Sequence, residues 1–337
     1  MQVREYVIRR LLKLPLVLIA ITALVFGLSR VGGSPIGIYL EHEMSPSEMA
    51  ALAERYGLDK SLPEQYVAWL AGVLRGDLGW SGVSVAPVSE VLPARFVATM
   101  ELAIVAGIIT IVMGIGLGTF AGARRNRLAD HITRVFTISG ASLPLFWFAL
   151  LMVILFYLVI PIAPLGRFDP NIYSQIAHPT GFYTIDALLA GNIGAFFDAL
   201  RHLALPAFVM GIEGTAVIAR MMRSSLVEEM EEDYVDAARA KGLPERLVIK
   251  RHARRNALVP TVTVIGLGWG LLLQGTVVIE TVFRWPGMGR WATTAVLRGD
   301  RATIMAFILV AGVIFLVVNL IVDIIYAYLD RRVVLGE

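Results

Sequence analysis

The 337-residue chain contains no cysteine, and this absence excludes several kinds of site. Disulfide bonds, thiolate nucleophiles, iron–sulfur clusters and zinc sites with cysteine ligands all need that side chain. Charge is also scarce, because 17% of the residues are charged, against about 25% in an average soluble domain. Hydrophobic residues make up 57% of the chain, and the mean hydropathy is +0.70. The composition therefore predicts an integral membrane protein.

Motifs for nucleotide and metal chemistry are missing from the sequence as well. No Gly-x-x-x-x-Gly-Lys-[Ser/Thr] phosphate loop occurs, so we expect no ATP hydrolysis by this chain itself. The five histidines show no His-x-x-x-His spacing, and we expect neither a metal site nor a catalytic residue. A net charge of +3 without a basic soluble face argues against nucleic-acid binding.

Six segments are long and apolar enough to cross a bilayer as helices, since a bilayer core needs roughly 20 apolar residues per helix. They lie at about residues 11–28, 99–121, 135–160, 203–222, 258–279 and 303–326. Barrel strands would instead be short segments of alternating polarity. The predicted fold is all-α: a polytopic membrane protein with six transmembrane helices.

Lysine and arginine cluster on one side of the six segments. The N-terminus, the connections after the second and fourth segments, and the C-terminal tail are all basic. The positive-inside rule makes this side the cytoplasm and puts both termini there. The first segment follows a basic start without a small-x-small cleavage site, which predicts a retained signal anchor. The connection after the fifth segment does not follow this charge pattern, because the predicted orientation puts four arginines on the outer side: Arg284, Arg290, Arg298 and Arg301.

The connection after the first segment is too long for a bare turn. Ser45 or Ser47 is predicted to cap one helix in it, and a second helix is predicted over residues 63–74. We expect these helices to form a small extracytoplasmic subdomain. The predicted division is residues 1–30 for the tail and first transmembrane helix, 31–98 for this subdomain, and 99–337 for a five-helix transmembrane core with a cytoplasmic loop at 223–257.

That cytoplasmic loop predicts a short helix outside the bilayer, over residues 235–240. One face of this helix comprises Tyr234, Ala237, Ala238 and Lys241. The two alanines would let another surface approach closely, and Gly242 can adopt the left-handed conformation that ends a helix. A second, basic helix is predicted at about residues 245–256. These residues by themselves leave a docking helix and an ordinary solvated helix equally open.

Two polar residues are predicted to lie at bilayer depth. Glu213 is mid-way along the fourth segment, where an ionisable group faces a water-filled cavity or a polar partner. A translocation path and an interhelical hydrogen bond both stay open for Glu213, and also for Gln274 in the fifth segment. Pro144 predicts a kink in the third segment. Trp285 and Trp291 lie near a predicted membrane edge, as in an interfacial aromatic belt.

The cytoplasmic loop resembles the "EAA" loop of binding-protein-dependent ABC importers. In that family Glu-Ala-Ala, a later Gly and an apolar-Pro pair mark the helix that docks on the ATPase subunit. The matching residues are Asp236-Ala237-Ala238, Gly242 and Leu258-Val259-Pro260, and Asp236 keeps the charge of the usual Glu. Residues 233–243 and 251–260 are similar to the dipeptide, oligopeptide and nickel branch. Similar stretches occur at 57–59, 65–70, 74–79, 99–102, 142–147, 280–289 and 319–323, so the resemblance covers nearly the whole chain.

The resemblance implies a permease subunit in a heteromeric complex of the bacterial or archaeal inner membrane. A second, distinct permease would complete the path, two ATPase subunits would bind ATP and Mg²⁺, and an extracytoplasmic binding protein would deliver substrate. No cofactor is expected in this chain, and membrane lipid surrounds it. The residues implied to couple transport to the ATPase are Tyr234, Asp236, Ala237, Ala238, Arg239, Lys241 and Gly242.

The resemblance favours di- or oligopeptides as the substrate. Nickel chelates, glutathione and oligosaccharides are alternatives for the same type of complex. A secondary transporter is a rival from another class, but it would need proton or sodium ligands within the membrane and commonly an internal repeat. A membrane-embedded enzyme would need converging catalytic groups, and we identify no such set.

Overall fold

The computed structural model describes residues 3–28, 45, 47–48, 51, 54 and 60–329. Within them the regular structure is helical apart from an antiparallel two-stranded ribbon of β1 (Trp80–Ser81) and β2 (Ala86–Pro87). The helices are α1 (Val3–Leu28), α2 (Leu62–Leu74), α3 (Val88–Gly122), α4 (Leu128–Ser142), α5 (Leu145–Val153), α6 (Pro170–Tyr173), α7 (Tyr183–Leu189), α8 (Ile193–Glu229), α9 (Asp233–Ala240), α10 (Glu245–Leu247), α11 (Arg254–Val282), α12 (Met288–Arg298) and α13 (Arg301–Leu329). A π-helical stretch, Ile154–Val159, extends α5, and another, Val248–Ala253, joins α10 to α11.

Three helices in the described part of the chain are long and apolar enough to cross a membrane. They are α3, α8 and the Arg301–Ile321 portion of α13. A fourth candidate is the bent pair of Leu128–Gly140 and Leu145–Val159, if both pieces belong to one span. The segment Leu14–Leu28 is a shorter apolar helix. These helices support an all-α polytopic membrane protein, and the count of six spans stays a prediction.

The predicted third span is broken into two helices. The helix α4 ends at Ser142, and the following piece begins at Leu145 after a bend of 105°. Leu143 between them has φ −83° and ψ 131°, because a residue that precedes proline is pushed out of the α-helical region. The kink predicted at Pro144 is confirmed, and one span over residues 135–160 stays a prediction.

The chain divides into two compact units, which are described separately here. The first comprises Met1–Thr99 and Trp285–Ile321, and the second comprises Met100–Arg284 and Val322–Glu337. In the first unit Trp285 and Trp291 are 1% and 3% exposed. The indole N–H of Trp285 donates to the carbonyl of Ala98 at 2.8 Å, and that of Trp291 donates to Ser84 Oγ at 2.9 Å. The predicted place of these two rings in an interfacial belt was therefore wrong, because both rings are interior.

The outer helices predicted in the first unit are confirmed where the structure describes them. The second is α2, whose cap residue Ser61 donates from its backbone N–H and its hydroxyl to Glu64 at 3.1 and 2.8 Å. Ser45 and Glu48 form the same reciprocal capping contact, because Ser45 N donates to the Glu48 carboxylate at 2.7 Å and Glu48 N donates to Ser45 Oγ at 3.4 Å. Ser45 is therefore the cap of the first helix, most of which lies outside the described residues.

In the second unit, α8 is the helix on which α4, α7 and α11 pack. Small residues also bring α3 against α8. Gly114, Gly118 and Gly122 recur every four residues along α3, and a Cβ atom at Gly118 would lie 2.6 Å from the carbonyl oxygen of Ala219. Such spacing lets two helix backbones approach closely, which stabilises helix pairs in membranes. The α3–α8 seam therefore fixes the helix whose C-terminal end leads into the loop that is predicted to be cytoplasmic.

Candidate functional site

The helix predicted in the cytoplasmic loop is α9. It begins two residues earlier than predicted, at Asp233, after Glu232 in an extended conformation. It ends where Gly242 adopts φ +77°, a left-handed conformation that glycine adopts without steric cost. The backbone N–H of Gly242 donates to the carbonyl of Arg239 at 2.9 Å, which closes the last turn. Both the helix and its glycine stop were thus readable from the sequence.

One face of α9 is buried in the protein itself. Val235 is fully buried and Ala238 is 5% exposed, and both belong to an apolar cluster with Met222 and Leu226 of α8 and with residues leading into α11. Tyr234 packs against the same cluster, and its hydroxyl donates to the carboxylate of Glu229. Burial and this hydrogen bond raise the pKa of Tyr234 to about 12. These contacts attach α9 directly to α8 and to the start of α11.

The four residues predicted to share one face of α9 are divided by the structure. Tyr234 is half-buried and Ala238 is buried, whereas Ala237 and Lys241 are exposed. Adjacent positions differ by about 100° around a helix, so Ala238 packs inward and Ala237 remains outside. The prediction that two alanines together form an exposed centre was therefore wrong. The outward face consists of Asp233, Asp236, Ala237, Ala240 and Lys241.

Arg239 ties α9 to the next turn of the loop. Its Nη1 donates to Asp236 at 2.9 Å, and its Nη2 and Nε donate to Glu245 at 2.9 and 3.2 Å. The guanidinium holds the pKa of Glu245 below its usual range, and the two carboxylates raise the pKa of Arg239. Arg239 thus has a role inside the loop that the sequence pattern did not show.

A cavity of about 170 Å³ lies between four helices of the second unit. Its walls include Thr110 of α3, Leu145 of α5, Glu213 of α8 and Val264 of α11. Glu213 is the only ionisable side chain among the described residues that line it, and this side chain is exposed on the isolated chain. The cavity is otherwise apolar and rich in glycine. A lone carboxylate at the bilayer depth predicted for Glu213 marks a functional position more often than a structural one.

The second predicted path residue stays untested by the structure. Gln274 lies on α11, next to Gly275, which lines the cavity. Its side chain lies outside the part of the chain that the structure describes. The structure therefore brings Glu213 to the cavity and leaves Gln274 as a prediction.

The sequence analysis did not identify a buried polar cluster around Glu101, in the first half of α3. The carboxylate of Glu101 accepts from Arg167 Nη2 at 2.6 Å and Nε at 2.9 Å, with both side chains under 10% exposed. Its other oxygen accepts from the backbone N–H and hydroxyl of Thr184 at 2.9 and 2.7 Å. An acid near the start of the predicted apolar segment 99–121 was the available signal. Its partner could not be named, because 66 residues separate the two.

Two family models match the chain. Residues 114–335 match the model described as "Binding-protein-dependent transport system inner membrane component". Residues 3–103 match its companion, "Binding-prot-dependent transport system membrane comp, N-term". Together the two models cover both compact units.

Individual relatives are similar over nearly their whole length. The dipeptide transport system permease protein DppB of Escherichia coli is 39% identical over 333 residues, which are 98% of each chain. The probable D,D-dipeptide transport system permease protein DdpB of the same organism is 38% identical, over 95% of this chain and 94% of its own. The di/tripeptide transport system permease protein DppB of Pseudomonas aeruginosa is 39% identical over 98% of each chain.

Proposed function

Because the chain belongs to the family of binding-protein-dependent transport system inner membrane components, we propose that it forms half of the path of an ATP-driven peptide importer. The relatives that this chain matches over 94% or more of their length are named as D,D-dipeptide, dipeptide or di/tripeptide permeases. Peptides of two or three residues are therefore the first substrates to test. The same type of complex could instead carry nickel chelates, glutathione or oligosaccharides.

The observation that carries the proposal is the two-sided character of α9. Its inner face holds Val235 and Ala238 in an apolar cluster with α8 and with the residues leading into α11. Its outer face offers Asp236, Ala237 and Lys241 to solvent. A partner that binds the outer face and moves would move the whole helix α9. Because the inner face packs on α8 and on the residues leading into α11, these helices would move as well. The loop can thus act as the element through which ATP binding in a partner biases two states of the path.

The cavity between α3, α5, α8 and α11 is proposed to be part of the translocation path, and Glu213 supports this assignment. A carboxylate in an apolar cavity suits the ammonium group at the N-terminus of a peptide. Its exposure on this chain fits a path closed by a second permease. We expect Glu213→Gln to lower dipeptide uptake by at least about tenfold, since losing a hydrogen bond between charged groups costs about 1.5 kcal/mol or more. ATPase capture should stay normal in this variant, and unchanged uptake would remove Glu213 from the path.

The remaining parts of the proposal complete the complex. Six spans, cytoplasmic termini and a location in the bacterial or archaeal inner membrane fit the charge pattern and the family. Two ATPase subunits would bind ATP and Mg²⁺, an extracytoplasmic binding protein would present the peptide, and a distinct second permease would form the other half. Coupling would involve Tyr234, Asp236, Ala237, Ala238, Arg239, Lys241 and Gly242. We assign the packing of the loop to Tyr234, Ala238 and Arg239. Contact with the ATPase is assigned to Asp236, Ala237, Lys241 and Gly242.

The deciding experiment compares two adjacent alanines of α9. Ala237→Trp adds bulk to the exposed face, so the variant should fold and enter the membrane but lose co-purification of the ATPase subunits and uptake of a labelled dipeptide. Ala238→Trp adds the same bulk to the buried face and should instead lower the unfolding temperature. Ala190→Trp, at an exposed position in the turn before α8, is the control and should keep both activities. Normal uptake by the Ala237→Trp variant would contradict the coupling assignment.

A further inference from the structure

A second cavity, of about 590 Å³, lies between the α3–α4 connection and the helical stretch that runs from α10 into α11. Five cationic side chains line this basic cavity: Arg124, Arg127, Arg246, Lys250 and Arg254. Glu245 is the only carboxylate among its described lining residues. Two chain segments more than a hundred residues apart thus bring their positive charges to one place.

The carboxylates near the basic cavity are already engaged by other arginines. Glu245 accepts two hydrogen bonds from Arg239. Glu231 pairs with Arg125, and Asp130 accepts from Arg223 at 2.5 and 2.8 Å. In contrast, none of the five lining cations forms an ion pair with a described carboxylate. Their positive charge is therefore left for a ligand from outside the chain.

Part of the lining of the basic cavity is apolar. It includes Ala123 and Ile249, and the guanidinium of Arg124 lies 4.1 Å above the ring of Phe120, which is 45% exposed. The hydroxyl of Thr119 also lines the cavity and is buried without a hydrogen-bond partner among the described residues. Thr119 and Phe120 lie in the last turn of α3, a membrane-spanning candidate. The end of such a helix lies at the depth of the lipid headgroups.

We propose that the basic cavity binds the phosphate group of an anionic phospholipid from the cytoplasmic leaflet. Guanidinium and ammonium groups bind phosphate oxygens with charge-assisted hydrogen bonds, and basic pockets at the cytoplasmic ends of membrane helices bind anionic headgroups. The apolar wall would accommodate the glycerol and the first methylenes of the acyl chains. The choice of leaflet rests on the orientation in the proposed function. A bound lipid would contact both the α3–α4 connection and the residues after α9.

A lipid titration of the full-length chain tests the proposal. The purified, delipidated protein is titrated with phosphatidylglycerol or phosphatidylcholine, and bound lipid is counted by native mass spectrometry. Phosphatidylglycerol should bind more tightly. Arg124→Gln with Arg127→Gln should weaken its binding by at least about tenfold, since each basic residue near an anionic surface contributes roughly fivefold. The matched control, Arg251→Gln with Arg255→Gln, removes two exposed charges from the same helical stretch outside the cavity and should change binding less than about twofold.

Further arms of the titration separate the sources of phosphate. Lys250→Gln replaces one exposed side chain and should weaken lipid binding even if the double variant folds poorly. Inorganic phosphate at millimolar concentration should not displace the lipid, and displacement would identify a soluble anion as the ligand and overturn the proposal. Equal binding of both lipids, or equal loss in the control variant, would also overturn it. The titration contains no peptide and no ATPase subunit, so its outcome is independent of the proposed function.

Discussion

The N-terminal part of α8 and the helix α9, which follows its C-terminal end, are held in place by different interactions. At the N-terminal end of α8 Asp198 accepts from the backbone N–H of Asp169 at 3.0 Å and from the hydroxyl of Tyr183 at 3.2 Å. At its C-terminal end Met222 and Leu226 instead pack on α9 through apolar side chains. Arg223, between these two residues, forms an ion pair with the buried Asp130 of α4, whereas the ion pair of α9 itself, Arg239 with Glu245, is exposed.

This difference separates a fixed region from a region suited to movement. Buried charges must keep their partners, because separating them leaves an uncompensated charge at low dielectric. Glu101 and Arg167 are such a pair. They lie near the start of α8, because Thr184 donates to Glu101 and the adjacent Tyr183 donates to Asp198 of α8. Apolar contacts are not directional, so α9 could shift or tilt on its cluster at smaller cost. The helix α9 is therefore the element at which a partner could act.

The largest effect should come from breaking the buried pair. Glu101→Gln removes the carboxylate that accepts two hydrogen bonds from the buried Arg167 guanidinium, and we expect a loss of ~3–5 kcal/mol in the free energy of unfolding. The measurement is unfolding of the purified chain in mixed detergent micelles. The matched control is Glu101→Leu combined with Arg167→Leu, which should be less destabilised than the single variant because no charge stays buried. A loss below about 1 kcal/mol in Glu101→Gln would show that this region is not held by the pair.

An intermediate effect should come from the α3–α8 seam between the two regions. In Gly118→Ala the new Cβ atom would lie 2.6 Å from both the Ala219 carbonyl oxygen and Met222 Cβ, so the helices must separate. We expect a loss of ~1–3 kcal/mol, measured by the same unfolding assay. Gly116→Ala is the control on the same helix, since a Cβ atom at Gly116 meets nothing within 4 Å. Equal stability of the two variants would contradict the close seam.

The smallest effect should come from the exposed pair beside α9. The side chains of Arg239 and Glu245 are 37% and 54% exposed, so Glu245→Gln should cost less than about 1 kcal/mol at neutral pH. Arg239 lowers the pKa of Glu245, so the folded state favours the carboxylate. The stabilisation is therefore present above the usual pKa of a glutamate and is lost as the pH falls through the lowered pKa.

The check on this pair is unfolding of wild type and Glu245→Gln between neutral and acidic pH. The difference in stability between the two proteins should shrink on acidification and with added salt. A difference as large as that of Glu101→Gln would mean that α9 depends on its ion pair as much as the region beside the start of α8 does, and the comparison between them would fail.

Local features of the fold could be predicted because they depend on neighbours in the sequence. The capping of α2 by Ser61 and Glu64 and the stop of α9 at Gly242 are interactions within a few residues. The break at Pro144 also has a local cause. Contacts between distant segments were missed for the opposite reason. Arg167 could not be assigned to Glu101, and the unpaired charges of the basic cavity come from two separate connections.

By itself, the sequence determined that this protein is helical, belongs in a membrane and carries a short helix in a basic loop, because composition, hydrophobic length and capping are properties of the chain. Only the tertiary structure decided which side of that helix is available. Ala237 and Ala238 are identical residues at adjacent positions, yet one is exposed and the other packs on α8 and the residues leading into α11. Their difference comes from what surrounds each residue, and those surroundings are set by residues far away in the chain.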